Sequence, residues 1–230
     1  MKIKLKSKSY SQGGEDLILA KLLGPKTKGF FIDVGANDPK KLNNTYLFYK
    51  RGWRGINFEP IPELAKNFKN KRIEDTVINK AMSNFVGETD FCVGIDEYNV
   101  NSSLMNIDLP RQKIIKVSVD TLENVLDELK IKDIDFISID TEGTELDVLE
   151  GLNLDKYRPK FILAEYNTAS IGNDKLQPYL ITKGYQPVYI NTWNIIFSNN
   201  FSDDAIECYK TNKYTLKNIF MYLKQTIKNN

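Results

Sequence analysis

Short apolar runs that end in a polar or acidic residue alternate along this chain with stretches in which apolar positions recur at helical spacing. Such runs are typical of strands in a parallel sheet that is covered on both faces. Strands that alternate with helices predict one α/β domain with a doubly wound, mostly parallel, Rossmann-like sheet. Near residue 200 the pattern changes, because two strand-like runs follow each other without a helix between them.

The predicted strands cover residues 30–34, 55–59, 76–81, 88–94, 114–119, 134–140 and 160–165. The predicted helices cover residues 17–23, 46–50, 62–68, 121–129, 146–152 and 175–183. Residues 185–190 and 194–198 predict a terminal antiparallel pair. We therefore expect the globular domain to occupy residues 1–200.

Residues 201–230 form a separate segment, in which residues 214–228 show the pattern of an amphipathic helix. Its apolar positions are Leu216, Ile219, Phe220, Leu223 and Ile227. A helix this short is marginal without tertiary packing, so we expect its apolar face to be buried on its own domain. A homodimer interface is the next alternative. A membrane surface is a weaker one, because the apolar face lacks tryptophan.

Composition narrows the range of functions. The chain has 230 residues, 41% of them hydrophobic, and a net charge of +2, which gives no electrostatic case for a nucleic-acid partner. No apolar run is long enough for a membrane span, and the N-terminus lacks the apolar segment of a signal peptide, so we expect a cytoplasmic protein. The two cysteines have no zinc-site spacing. Because histidine is absent, a general base must be a carboxylate, a lysine, a tyrosine or a metal-bound group.

Residues 30–38 (FFIDVGAND) give the strongest local indication of a ligand-binding site. An apolar strand ends in an acid and a glycine, and Gly35 indicates a sharp turn where backbone approaches a neighbour closely. The dinucleotide fingerprint G-x-G-x-x-G is absent, which disfavours a pyrophosphate ligand. A ligand with a ribose and an amino-acid end but no phosphate fits better, and S-adenosylmethionine (SAM) is such a ligand.

Acids end four of the predicted strands. They are Asp33, Glu59, Asp140 and Glu165. The carboxyl ends of parallel strands meet at one edge of the sheet, where ligands bind. A sulfonium, an ammonium and a ribose diol would satisfy these acids there. We expect Glu59 to accept the ribose hydroxyls, Asp33 to lie near the amino group, and the backbone at Gly35 to approach the methionine portion.

Several neighbouring residues have alternative interpretations. Acids at the start of a helix, such as Glu142, also suit the helix dipole. Gln12 belongs to a segment that caps a helix as plausibly as it binds a ligand. The polar residues 101–103 either bond a sugar or form an ordinary surface loop. Trp53 and Trp193 are expected in the core rather than in a sugar platform.

Five motifs in order resemble FkbM-type SAM-dependent methyltransferases. They are residues 11–16 (SQGGED), 31–37 (FIDVGAN), 44–45 (NT), 52–60 (GWRGINFEP) and 137–145 (ISIDTEGTE). The resemblance runs from about Ser11 to Ser198 and implies a SAM-dependent methyltransferase fold with methyl transfer to oxygen, often on sugars or natural products. The chain departs from the family pattern at Asp38-Pro39 and at Thr141, and neither departure removes a charged group.

The resemblance and the strand-end acids together give a predicted cofactor site. Its residues are Gln12, Asp33, Gly35, Asn37, Asn44, Thr45, Glu59, Pro60, Ala81 and Asp140. The candidates for activating the acceptor hydroxyl are Asp140, Glu142 and Glu165. Alternatively, Asp140, Glu165 and Asn167 hold Mg²⁺ or Mn²⁺, similar to the acid and amide ligands of catechol-type methyltransferases.

The expected reaction is methylation of a hydroxyl on a sugar, with a nucleotide-linked or surface-glycan sugar as partner. An O-methyltransferase that acts on a small molecule or a natural product is the second interpretation. A non-catalytic interaction module with a SAM fold is the third, and the retained acids argue against it.

Overall fold

The computed structural model describes residues 8–94, 102–104, 112–165 and 175–200. The strands are β1 Phe30–Val34, β2 Arg54–Phe58, β3 Thr76–Ile78, β4 Ala81–Met82, β5 Gly87–Gly94, β6 Gln112–Asp120, β7 Phe136–Ile139, β8 Phe161–Glu165, β9 Gln186–Ile190 and β10 Asn194–Ser198. The helices are α1 Glu15–Leu22, α2 Tyr46–Lys50, α3 Pro62–Lys71, α4 Leu122–Glu128, α5 Glu145–Glu150, α6 Leu154–Tyr157 and α7 Leu176–Thr182. The predicted C-terminal helix and Asn167 lie outside the described residues.

Seven strands form the main sheet in the order β3-β2-β1-β7-β8-β10-β9. The pairs from β3 to β8 are parallel, and β10 runs antiparallel to both β8 and β9. The predicted parallel sheet with a terminal antiparallel pair is therefore confirmed. The carboxyl ends of β2, β1, β7 and β8 are consecutive along one edge.

The alternation of side chains along β1 places apolar residues against helices on both faces of the sheet. Ile32 and Val34 pack into a cluster with residues of α4, α5 and α7. Phe31 points the other way and packs into a second cluster with residues of α1 and α2. Asp33 shares the Phe31 face, so an acid is buried at the end of an otherwise apolar strand.

A second sheet, of three strands in the order β4-β6-β5, lies outside the main sheet. The prediction of one strand over residues 76–81 is wrong in this respect: β3 ends at Ile78 in the main sheet, and Ala81 begins β4, which pairs with β6. In the part of the chain that the structure describes, no helix combines the length and apolar character that a membrane span needs.

Candidate active site

A cavity of about 380 Å³ lies at the carboxyl edge of the main sheet. All four strand-end acids line it: Asp33 in β1, Glu59 after β2, Asp140 after β7 and Glu165 at the end of β8. The cavity therefore lies where open α/β sheets bind ligands.

Gly35 brings the loops after β1 and β7 into contact. Its φ is +77°, and a Cβ atom built on it would lie 1.9 Å from the carbonyl oxygen of Asp140. Glycine is thus required at this position because the backbone of Asp140 leaves no room for a side chain, whether or not a ligand also approaches. The loop is fixed further by the amides of Gly35 and Ala36, which both donate to the carbonyl oxygen of Phe58.

Glu59 is fixed by backbone amides on both carboxyl oxygens. The amide of Asn37 donates to Oε2 and that of Ile61 to Oε1, each at 2.8 Å. Burial raises the pKa of Glu59 to about 7, against the effect of these two hydrogen bonds. Each oxygen keeps a second acceptor position, so the carboxylate can accept two hydroxyl donors.

The cavity becomes apolar beyond Glu59. Side chains at the start of α3, in β4 and β5 of the second sheet, and in the segment 102–104 line this part: Ile61, Leu64, Ala81, Met82, Phe91 and Leu104. These residues, apart from Ala81, were not predicted as site residues, because their sequence signal is that of ordinary core. A flat apolar group next to a diol fits this combination of an apolar compartment and a fixed acid.

Asp140, Glu142 and Glu165 form an acidic cluster on the other side of the cavity. One carboxyl oxygen from each lies within 4.8 Å of the others. Burial and the neighbouring carboxylates raise the pKa of Asp140 well above its ordinary value and that of Glu165 to about 10. The Oε2 atom of Glu165 is buried and has no hydrogen-bond partner among the described residues. The cluster is therefore suited to take up a proton or a cation.

Glu142 has a strained backbone, with φ of +55° in the left-handed region that favours glycine. The loop is nevertheless well braced. Glu145 Oε1 accepts from the amides of Thr141 and Gly143, and the buried Ser103 hydroxyl donates to the carbonyl oxygens of Thr141 and Glu142. Strained residues that their surroundings hold in place are concentrated at functional sites, which singles out Glu142.

Asp33 is buried, and its Oδ2 accepts hydrogen bonds from the Thr45 hydroxyl at 2.7 Å and from the side-chain amide of Asn43 at 3.2 Å. Burial raises its pKa. Thr45 itself is fully buried and lies outside the cavity lining. Its hydroxyl positions Asp33, and its contact with the cofactor stays a prediction.

Arg72 was missed entirely by sequence reasoning, because it ends a lysine-rich helix that has the pattern of a solvated surface. It is fully buried, and its Nη2 lies 2.6 Å from an equally buried Asp75 carboxylate. Its Nη1 donates to Thr45 Oγ1 at 2.8 Å and to Asn43 Oδ1 at 3.2 Å. Arg72 therefore connects α3 to the residues that hold Asp33.

Glu15 joins the N-terminal loop to the turn between β9 and β10. Its Oε2 accepts from the amide of Gly13, and its Oε1 accepts from the side-chain amides of Asn191 and Asn194. Burial would raise the pKa of Glu15, but these hydrogen bonds outweigh it and lower the pKa. Gln12 and Trp193, on the two joined segments, both line the cavity.

The structure brings most of the predicted site residues together. Those that line the cavity are Gln12, Asp33, Gly35, Asn37, Asn44, Glu59, Pro60, Ala81, Asp140, Glu142 and Glu165. Trp53 is buried in the core as expected, whereas Trp193 is 44% exposed, so its expected place in the core is wrong.

Comparison with known proteins gives a family for this chain. A family model described as the methyltransferase FkbM domain matches residues 33–216. No curated protein matches the chain. Among solved structures, a METTL16 methyltransferase domain has a TM-score of 0.50 at 14% identity, covering 82% of this chain and 67% of that one. This likeness shows that the chain shares the fold of that domain.

A second solved structure is a TehB-like SAM-dependent methyltransferase from Corynebacterium glutamicum. It has a TM-score of 0.42 at 12% identity, covering 81% of this chain and 88% of that one.

Proposed function

The chain belongs to the FkbM methyltransferase family, and from that premise we propose that this SAM-dependent methyltransferase acts on a hydroxyl group of a sugar, either nucleotide-linked or part of a surface glycan. The observation that carries the proposal is the convergence of Asp140, Glu142 and Glu165 at the cavity. A sugar hydroxyl is a weak nucleophile at neutral pH, so its methylation needs a group that removes the proton.

SAM supplies the methyl group, and the half of the cavity at the ends of β2, β1 and β7 is suited to hold it. Glu59 has two free acceptor positions for the ribose hydroxyls, and the adjacent apolar compartment, which includes Ala81, suits the adenine ring. Asp33 and Asp140 provide negative charge for the cationic amino-acid end. The backbone after Gly35 completes this end of the site.

We assign Glu142 as the base. Glu165, whose pKa is raised to about 10, holds its proton at neutral pH, and Glu142 is the member of the cluster in a strained, braced loop. The acceptor oxygen forms a bond to the methyl carbon while the carbon–sulfur bond breaks and its electron pair stays on sulfur. The hydroxyl proton moves to the Glu142 carboxylate. Two effects contribute separately to the rate: alignment of the acceptor oxygen with the methyl group, and removal of the proton by the base.

A divalent cation at the same cluster is the alternative way to activate the hydroxyl. The donor chemistry suits Mg²⁺ or Mn²⁺, because all three groups are carboxylates. The spacing is wide: oxygens on opposite sides of Mg²⁺ are about 4.2 Å apart, compared with separations of up to 4.8 Å here, so the side chains must move closer. Asp140, Glu142 and Glu165 would hold the ion, with Asn167 as a further predicted ligand, and the ion would lower the pKa of a bound hydroxyl.

The charge of the chain favours a sugar over a nucleic acid as acceptor. A net charge of +2 provides no broad basic surface for a phosphate backbone. A small natural product with a free hydroxyl is the second acceptor class, since the same acidic cluster would serve it. Loss of catalysis is disfavoured because the strained Glu142 would have no use in a binding module.

The test is transfer of an isotope-labelled methyl group from SAM to four acceptor classes: methyl hexopyranosides, uridine-diphosphate hexoses, a phenolic compound and an unstructured RNA. The proposal expects label on a sugar oxygen and a 10²–10⁴-fold loss, roughly, in Glu142→Gln. Label only on the phenol or RNA would overturn it. Exhaustive EDTA treatment distinguishes the mechanisms: activity that survives supports Glu142 as the base, and activity restored only by Mg²⁺ or Mn²⁺ supports the ion.

A further inference from the structure

We propose that Trp193 and Leu42 form the acceptor subsite, with the indole of Trp193 as a platform for the apolar face of a hexopyranose ring. This inference rests on the proposed function and adds the residues that select its substrate. Both side chains line the cavity, and both are exposed, Trp193 by 44% and Leu42 by 51%. A cavity mouth with two large apolar side chains favours a ligand with an apolar surface of its own.

Trp193 is held outward by a rigid turn. The side-chain oxygen of Asn191 accepts from the backbone amides of Trp193 and Asn194, at 2.9 and 2.7 Å. The side-chain amide of Asn191 in turn donates to the buried carboxylate of Glu15 at 2.6 Å. The indole is therefore presented by a turn that is fixed before any ligand arrives, which lowers the entropy cost of binding.

Leu42 is presented by a second constrained segment. Its φ of +49° is uncommon for a residue with a branched side chain, and the neighbouring Asn43 and Asn44 are buried. The amide of Asn43 donates to the carbonyl oxygen of Tyr10, and the side chain of Asn44 donates to Ser138. A strained backbone that keeps a leucine in solvent suggests that the leucine contacts a ligand.

The position of Trp193 in the fold separates it from the donor half of the cavity. Trp193 precedes β10, and Asn194 pairs with Glu165 at the end of β8. Glu59 follows β2, which lies four strand spacings from β10, or about 19 Å. The acidic cluster at the ends of β7 and β8 lies between the two. An acceptor on Trp193 would thus reach the base from the side opposite the donor ribose.

The surroundings of the indole suit a sugar better than a purely apolar molecule. Gln12, Asn194 and Glu165 line the same part of the cavity as Trp193. A hexopyranose presents C–H groups on one face and hydroxyls at its edge, so it matches an aromatic surface bordered by amide and carboxyl groups. An entirely apolar acceptor would leave these polar groups without partners.

The test compares Trp193→Ala, Trp193→Phe and Phe85→Ala in the full chain, with the uridine-diphosphate hexose or methyl hexopyranoside that accepts label most readily. Phe85 is also 44% exposed, but it lies outside the cavity lining. We expect the alanine variant to raise the acceptor KM roughly tenfold, with little change in kcat or SAM affinity, and phenylalanine to restore most of the loss. Phe85→Ala should match the wild type.

A second readout is tryptophan fluorescence, because Trp53 is buried and Trp193 is exposed. The same sugar, titrated in the presence of S-adenosylhomocysteine, should change the emission of the wild type but not of Trp193→Phe. If a sugar is methylated but substitution of Trp193 changes neither the acceptor KM nor the fluorescence response to the sugar, the inference is overturned and the proposed function stands. If no sugar is methylated and no sugar changes the fluorescence, both fail.

Discussion

Gly35 and Asp140 are in contact through their backbones: a Cβ on Gly35 would lie 1.9 Å from the carbonyl oxygen of Asp140. This contact sets the spacing of the loops after two neighbouring strands, and those loops carry opposite halves of the site. One leads to Asn37, which donates to Glu59, and the other contains Glu142. The distance between donor site and acidic cluster therefore depends on a glycine.

Gly35→Ala should cost more stability than a substitution at another left-handed glycine. Gly52 is the matched control, because its φ is +88° and a Cβ there would meet nothing within 4 Å. Gly52→Ala carries only the backbone strain of about 1–2 kcal/mol, whereas Gly35→Ala adds a steric cost of about 1–3 kcal/mol. Urea unfolding measures the difference. Equal losses of stability in the two variants would contradict this prediction, because they would show that the two loops move apart without a free-energy penalty.

Glu142→Gly should separate stability from activity. Glycine accepts the positive φ of this position, and its substitution removes a charge from a crowded acidic cluster, so we expect a gain of about 1 kcal/mol. The same variant should lose methyl transfer and keep SAM binding. Urea unfolding and SAM calorimetry check both parts. A less stable Glu142→Gly variant would mean that Glu142 is held by interactions that outweigh its strain.

The sequence predicted the strand-end acids because apolar runs and the acids that end them are local patterns. It missed Arg72 because burial of a cation depends on Asp75, Asn43 and Thr45, whose approach is set by the packing of α3. It also joined residues 76–81 into one strand, since local pattern does not reveal that Ala81 pairs with β6. The sequence also placed Trp193 in the core. An aromatic residue between two strands gives the same local sequence pattern whether its turn packs against the protein or faces a cavity.

The affinity for SAM should rise with pH around neutrality. The pKa of Glu59 is raised to about 7, so the free protein loses the proton between pH 6 and pH 8, and the ribose hydroxyls require the ionised form. Binding below pH 7 therefore releases a proton, and affinity should be about tenfold lower at pH 6 than at pH 8. Calorimetry in buffers of different ionisation enthalpy measures both effects. Glu59→Gln should reduce this dependence, and an unchanged slope in that variant would assign it to another acid.

Arg72→Met should destabilise the fold strongly, because it leaves Asp75 as a buried, unpaired carboxylate. Loss of one partner of a buried ion pair typically costs about 3–5 kcal/mol. Lys116→Met is the control, since Lys116 and Asp90 form an exposed pair whose loss costs at most about 1 kcal/mol. Adding Asp75→Asn to Arg72→Met should recover part of the loss in urea unfolding. No recovery would show that the arginine acts through its aromatic contacts with Phe31, Tyr49 and Phe68 instead.

Calorimetric titration of SAM into the wild type, Glu59→Ala and Glu63→Ala tests most directly whether the cavity is the donor site. Glu63 is exposed on the first turn of α3 and lies outside the cavity lining, so it controls for a lost charge nearby. We predict that the wild type and Glu63→Ala bind SAM equally. Glu59→Ala should lose about 1–3 kcal/mol of binding free energy, the range for a hydrogen bond to a charged group. A folded Glu59→Ala variant that binds SAM as tightly as the wild type would contradict this placement of the donor.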